Sequence, residues 1–229
     1  MKNKTVKGIA VSLGLITIMG IGGISAYFTD TDTQTNKFTV GKVTVDLTEP
    51  EWDKYPDKDN NGIPDQAEDL TPNKTIVKDP VITNTGINEA FIFATVEVPS
   101  RNIIVANADG TRKPAALTDL YSYTVNPGWV KMGTYDVRDG SGVIAHRYLY
   151  AYAASNVCTA LEAGKATTPI FSEVTTANAI EGQGLEQQKF EMPIHAYAIQ
   201  TSDLNGGKTA PADVWTVYTN QNSITEKYN

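Results

Sequence analysis

Residues Ala90 to Val98, AFIFATVEV, limit the fold more than any other stretch of the chain. Phe91 and Phe93 alternate with Ile92, Val96 and Val98, the period-two spacing of a β-strand, and β-branched and aromatic side chains are the ones a pleated surface packs best. Both faces are apolar at the start of the run. A strand of that kind belongs in the middle of a sheet.

Further extended runs follow the same logic. Phe38, Val40, Val43, Val45 and Leu47 alternate with polar residues, with a phase slip at Gly41-Lys42 that reads as a β-bulge. Thr75 to Thr83 is extended, with Pro80 suited to an edge or a strand start, and Asn84-Thr85-Gly86 turns the chain. Trp129 to Val137 and Val143 to Tyr152 flank Arg138-Asp139-Gly140-Ser141-Gly142, which is hairpin chemistry. Ile170 to Val174 and Phe190 to Gln200 supply two more strands. Pro211 in a first turn, with Asp213 beside it and Val214, Val217 and Tyr218 on one face, predicts a short helix over 210–222. The expected fold is mainly β: an antiparallel, jelly-roll-like β-sandwich with one or two short helices. Immunoglobulin-like topology is the alternative, although its Cys/Trp/Cys landmark is absent.

The amino end has another character. Lys2, Lys4 and Lys7 precede an apolar run of about 15 residues and a small-residue exit, the build of a secretory signal peptide over residues 1–26. Cleavage is expected between Ala26 and Tyr27, with the bond after Ser25 as the alternative. A permanent anchor normally needs roughly 18 to 20 uninterrupted apolar residues, and this run is shorter and contains Gly8, Gly14, Gly20 and Gly22. Residues 27–229 then form a single β-sandwich domain, and the membrane is met only through the precursor's signal peptide.

Loss of the leader removes three lysines and no acid, taking the net charge from −7 to −10. Such a balance argues against nucleic acid and anionic lipid as partners. The only cysteine, Cys158, has no disulfide partner within the chain and reads as a small buried apolar residue rather than a reactive thiol.

The sharpest local pattern lies in an acidic loop over 53–72. Asp57, Asp59, Asn61, Asp65 and Glu68 stand at positions 1, 3, 5, 9 and 12 of a calcium-type loop, Ile63 would offer its carbonyl at position 7, and Gly62 takes the sharp turn. Calcium is a hard ion that wants six to eight oxygens. The prolines of the flanks forbid the two long helices of an EF-hand, so a calcium loop and a solvated acidic turn both stand. His146 and His195 lie in expected strands beside aromatics, with no HExxH, no GxSxG and no phosphate loop in the chain. No catalytic residue is assigned.

Residues Tyr27 to Asn36, YFTDTDTQTN, are threonine-rich and alternating, yet after Phe28 almost nothing in them can bury. They are either a loose tail or a strand that completes a sheet in a neighbouring subunit, where backbone hydrogen bonds suffice.

The stretches SAYFTDTDTQTNKFTVGKVTVDLTEPEWD, DLTPNKTIVKDPVITNTGINEAFIFATVEVP and TTPIFSEVTTANAIEGQG, followed by MPIHAYAIQ, resemble the TasA/camelysin family of exported proteins, from about Ala10 to Trp215. The resemblance implies a jelly-roll subunit whose leader is cut by a dedicated, SipW-type signal peptidase at Ala26-Tyr27. It further implies that copies of the chain join head to tail in biofilm-matrix or cell-surface fibres, with the new amino end (Tyr27, Phe28, Thr29, Thr31, Thr33, Thr35 and Lys37) as the donor strand. The acidic loop looks like an insertion relative to the family's wording. Camelysin-like members carry a metalloendopeptidase label, so a secreted protease is the second expectation and a non-polymerising surface adhesin the third.

Overall fold

The long strand expected around Ala90 is the spine of the molecule. The computed structural model describes residues 43–229 apart from Asp203 and Asn205, so the leader, the Ala26-Tyr27 bond, residues 27–37 and the bulge at Gly41-Lys42 lie outside the described residues. Contacts divide the chain into Met1–Thr39 and Val40–Asn229, and only the second unit is described here.

Twelve strands are found among the described residues: β1 (Val45–Thr48), β2 (Thr75–Val77), β3 (Val81–Asn84), β4 (Ala90–Ile103), β5 (Ala116–Asp119), β6 (Tyr121–Ser122), β7 (Trp129–Asp139), β8 (Gly142–Ala154), β9 (Val157–Cys158), β10 (Ala160–Leu161), β11 (Glu173–Thr176) and β12 (Ile194–Gln200). They are followed by one helix, α1 (Pro211–Asn222). All pairings are antiparallel. β4 takes β12 along one side and β8 along the other, with β7 outside β8, while β5, β9 and β10 extend this seven-stranded sheet. β1 and β3 form a second sheet, and β2, β11 and β6 a third. The protein is mainly β and antiparallel, as its alternating runs dictate.

The two faces of β4 serve two cores. Ala90, Ile92, Ala94, Val96 and Val98 face Ile76, Ile82, Phe171 and Val174 of the smaller sheets and their connections. Phe91 and Phe93 point the other way, to Leu149, Leu204 and the Val214 and Trp215 side chains of α1. Three layers result: helix, large sheet, small sheets. Trp215 holds the outer layer through ring contacts with Phe93 at 5.2 Å, Tyr197 at 5.5 Å and Tyr218 at 5.3 Å.

Several boundaries differ from expectation. The run Thr75 to Thr83 is two strands, because Pro80 has no N–H to extend a ladder. The chain stays extended through it, keeps Ile76 and Ile82 inward, and switches from β11 to β1. The pairing expected over 170–174 begins only at Glu173, and that expected from Phe190 begins at Ile194. The hairpin is tighter than a five-residue loop: Asp139 pairs with Gly142, and Asp139 Oδ1 accepts from the Ser141 N–H at 2.7 Å. β5, β6, β9 and β10 were not expected at all, being two to four residues long with no apolar alternation to mark them.

Candidate functional site

The acidic loop is fastened at its root before it is shaped at its tip. Asp79, buried at the Pro80 switch, accepts the Glu51 N–H at 2.9 Å and the Trp52 N–H at 3.1 Å, and so caps the short 3-10 turn Trp52–Lys54. Lys78 pairs with Glu49 at 2.7 Å and lies over the Trp52 ring. The insertion thus grows from the junction of β2 and β3.

At the tip the chain wraps around one carboxylate. Asp57 Oδ2 accepts the Gly62 N–H at 2.8 Å and its Oδ1 accepts the Asn61 N–H at 3.1 Å. Gly62 adopts φ +83°, the left-handed turn expected of it. Asn61 Nδ2 donates to Asp59 Oδ2 at 2.9 Å and to Glu68 Oε1 at 2.5 Å, while Asn61 Oδ1 accepts the Ile63 N–H. Asp57, Asp59, Asn61 and Glu68 are therefore gathered in one exposed loop. Asp65 is not with them: it pairs with Lys58 Nζ at 2.5 Å, and that contact holds its carboxyl below the usual carboxylate range. Among the described residues no three His, Cys, Asp or Glu side chains stand together as an ion cage. The oxygen-rich donor set suits a hard cation, and binding one requires Asn61 to rotate so that its oxygen replaces its NH2 group between Asp59 and Glu68.

A second cluster was not legible in the chain. Asp119 of β5 accepts from Ser100 Oγ of β4 at 2.6 Å, from His146 Nδ1 of β8 at 2.5 Å, and from the Tyr148 hydroxyl. Burial and this carboxylate push the Tyr148 phenol well above its ordinary range. The three residue types of a hydrolase triad are present in the wrong order. Ser100 Oγ and Asp119 Oδ1 approach the same nitrogen, Ser100 at 3.2 Å, whereas His146 Nε2 faces Asp136 at 3.7 Å. A relay needs the serine on one ring nitrogen and the acid on the other, so the cluster clamps β5 to β8 and does not activate Ser100. Beside it, Arg101 Nη1 donates to the carbonyls of Ser100 and Ile144 at the wall of an open hollow of about 590 Å³. His195 lies exposed in β12, opposite Thr95.

The remaining feature is a seam between sheets. Among the described residues β1 pairs only with β3 and β12 only with β4, and the two strands run beside each other without a ladder. Val45 and Leu47 of β1, and Ile194, Ala196 and Ala198 of β12, pack against the main core yet stay half-buried, whereas Ile92, Ala94 and Val96 of β4 are fully enclosed. The inner face of the sandwich is only half covered there.

Comparison of the chain with protein-family models, with curated proteins and with solved structures found no match.

Proposed function

We propose that this chain is an extracellular structural subunit that polymerises head to tail into surface or matrix fibres. In this reading a dedicated signal peptidase removes residues 1–26, and residues 27–37 of one copy add a strand along the seam between β1 and β12 of the next. The observation that carries the reading is the half-covered seam. Two neighbouring strands with unpaired outer edges and half-buried inner side chains are a template for an added strand, whose backbone hydrogen bonds complete the ladder whatever its side chains are. The threonine-rich run after Phe28 has the β propensity to fill that place and too little apolar surface to pack on its own. A contact that joins one end of a subunit to the other end of its neighbour does not close, and so gives a filament. The resemblance to the TasA/camelysin family supports the same reading.

Calcium at Asp57, Asp59, Asn61, the Ile63 carbonyl and Glu68 would stiffen the loop above the β2–β3 junction, with Asp65 joining only if it leaves Lys58. Electron microscopy of the purified chain after leader removal tests the whole proposal. Fibres are expected, and are expected to vanish when Tyr27 to Lys37 are deleted. A protein that stays monomeric at high concentration, or fibres that persist without those residues, would overturn it.

A further inference from the structure

We propose that residues 226–229 hold shut the outer edge of β7, and that the partner they exclude is β7 of a second copy of this chain. β7 is the edge strand of the large sheet, bounded by β8 on its inner side. On its outer side Thr134 and Asn229 exchange both backbone hydrogen bonds, Thr134 N–H to Asn229 at 2.8 Å and Asn229 N–H to Thr134 at 2.9 Å. Mutual exchange of this kind marks a hydrogen-bonded antiparallel pair. The edge therefore already accepts a strand, although a very short one.

The docking is built into β7. A Cβ on Gly133 would stand 2.9 Å from Tyr228 Cβ and 3.1 Å from the Asn229 carbonyl oxygen, so the strand carries no side chain where the segment crosses it. Tyr228 packs on Tyr135 at 5.9 Å and on Trp215 at 6.3 Å, and Glu226 pairs with Arg147 at 3.2 Å.

The ladder geometry names the excluded partner. Backbone groups alternate in direction along a strand, so with Thr134 facing outward Asp136 faces outward too. Two β7 edges related by a twofold axis at Tyr135 set Thr134 of each copy opposite Asp136 of the other. The same register brings Lys131 of each to the end of the ladder that carries the other copy's Asp139, so opposite charges meet at both ends. Asn229 occupies Thr134 and blocks this pairing. An isologous contact closes at two subunits, which separates it from head-to-tail growth and makes it independent of the fibre proposal.

Two variants release the segment by different means: Gly133→Val, which expels it sterically, and deletion of residues 226–229. Sedimentation velocity reads association, and hydrogen exchange at the Thr134 amide reads release. Both variants are expected to form a dimer that saturates at two, with a dissociation constant at least about tenfold below that of the unaltered chain. Asp139→Lys added to Gly133→Val should reverse that gain by setting lysine against lysine. If Gly133→Val shows no cooperative melt, the deletion variant decides alone. A variant whose Thr134 amide exchanges fast while it sediments like the unaltered chain overturns the proposal, as does association that continues past two.

Discussion

Replacing Asn84 with alanine should be among the most damaging single changes in the domain. The side chain is fully enclosed where β3 ends. Its Nδ2 donates to the carbonyls of Asn88 at 2.9 Å and Leu161 at 2.8 Å, and its Oδ1 accepts the Gly86 N–H at 3.0 Å. One amide thus ties the β3–β4 turn to β10. Truncation leaves two acceptors and one donor without partners. A buried group so stranded costs about 1 to 3 kcal/mol. Taking about 2 for the buried Leu161 carbonyl and about 1 for each of the half-buried groups gives about 4 kcal/mol. For a domain of this size that lowers Tm by about 8 to 16 °C in calorimetry at pH 7.

Asn84→Asp sharpens the test. It keeps the acceptor for Gly86 but turns a carboxylate oxygen toward two carbonyls, so the folded state disfavours the charge and raises the carboxyl's pKa above the unfolded value of about 3.9. The unfolded state then binds fewer protons between the two values, and stability falls as pH rises through that window and returns as pH drops below it. Asn84→Asp should therefore be at least as damaging as Asn84→Ala at pH 7 and recover part of the loss at pH 4, while Asn84→Ala does not. An alanine variant melting within about 3 °C of the parent, or identical pH profiles for the two variants, would refute the hydrogen-bond account.

Three other outcomes are expected. Asp57→Ala with Asp59→Ala should abolish a calcium-dependent rise in Tm; at a calcium concentration about 100 times the dissociation constant the unaltered loop should gain about 2.7 kcal/mol, and no rise in the parent would remove calcium from the account. Asp79→Ala frees the Glu51 and Trp52 amides, so trypsin should cut after Lys54 and Lys58 at least about tenfold faster with little change in the global melt, as local opening requires. Burial pushes the Cys158 thiol up to about 11, so it should resist alkylation in the native protein at pH 8 and react on unfolding. Because its folded pKa is raised, the unfolded state loses the proton first, and stability should fall between about pH 9 and pH 11 less steeply in Cys158→Ala than in the parent.

Much of the strand framework was legible because a half-buried strand must alternate. Phe91 and Phe93 fall on one face of β4 and Ile92, Val96 and Val98 on the other, as the residues alone require, and Val214, Val217 and Tyr218 mark one side of α1. The acidic loop was legible for a similar reason, since its oxygen-bearing residues lie within 12 positions of each other and Gly62 signals the turn. Its internal pairing was not, because Lys58 takes Asp65 out of the set through a contact that spacing does not encode.

Local chemistry decides what a segment becomes, since alternation, proline and glycine act over a few residues. That was enough to make this chain β-rich and antiparallel, to place a central strand at Ala90 and a helix at Pro211, and to break the extended run at Pro80. The partner across a ladder is a different matter. Whether β4 is covered by a helix on its second face, which strands stay unpaired at the seam of β1 and β12, and that Ser100, Asp119 and His146 meet on one carboxylate all depend on contacts between residues tens of positions apart. Backbone hydrogen bonds carry no residue identity, so such contacts are chosen by packing of the whole sandwich. Gly133 is the clearest case: as a letter it is only a weak point in a strand, and its use appears only when Tyr228 and Asn229 lie across it.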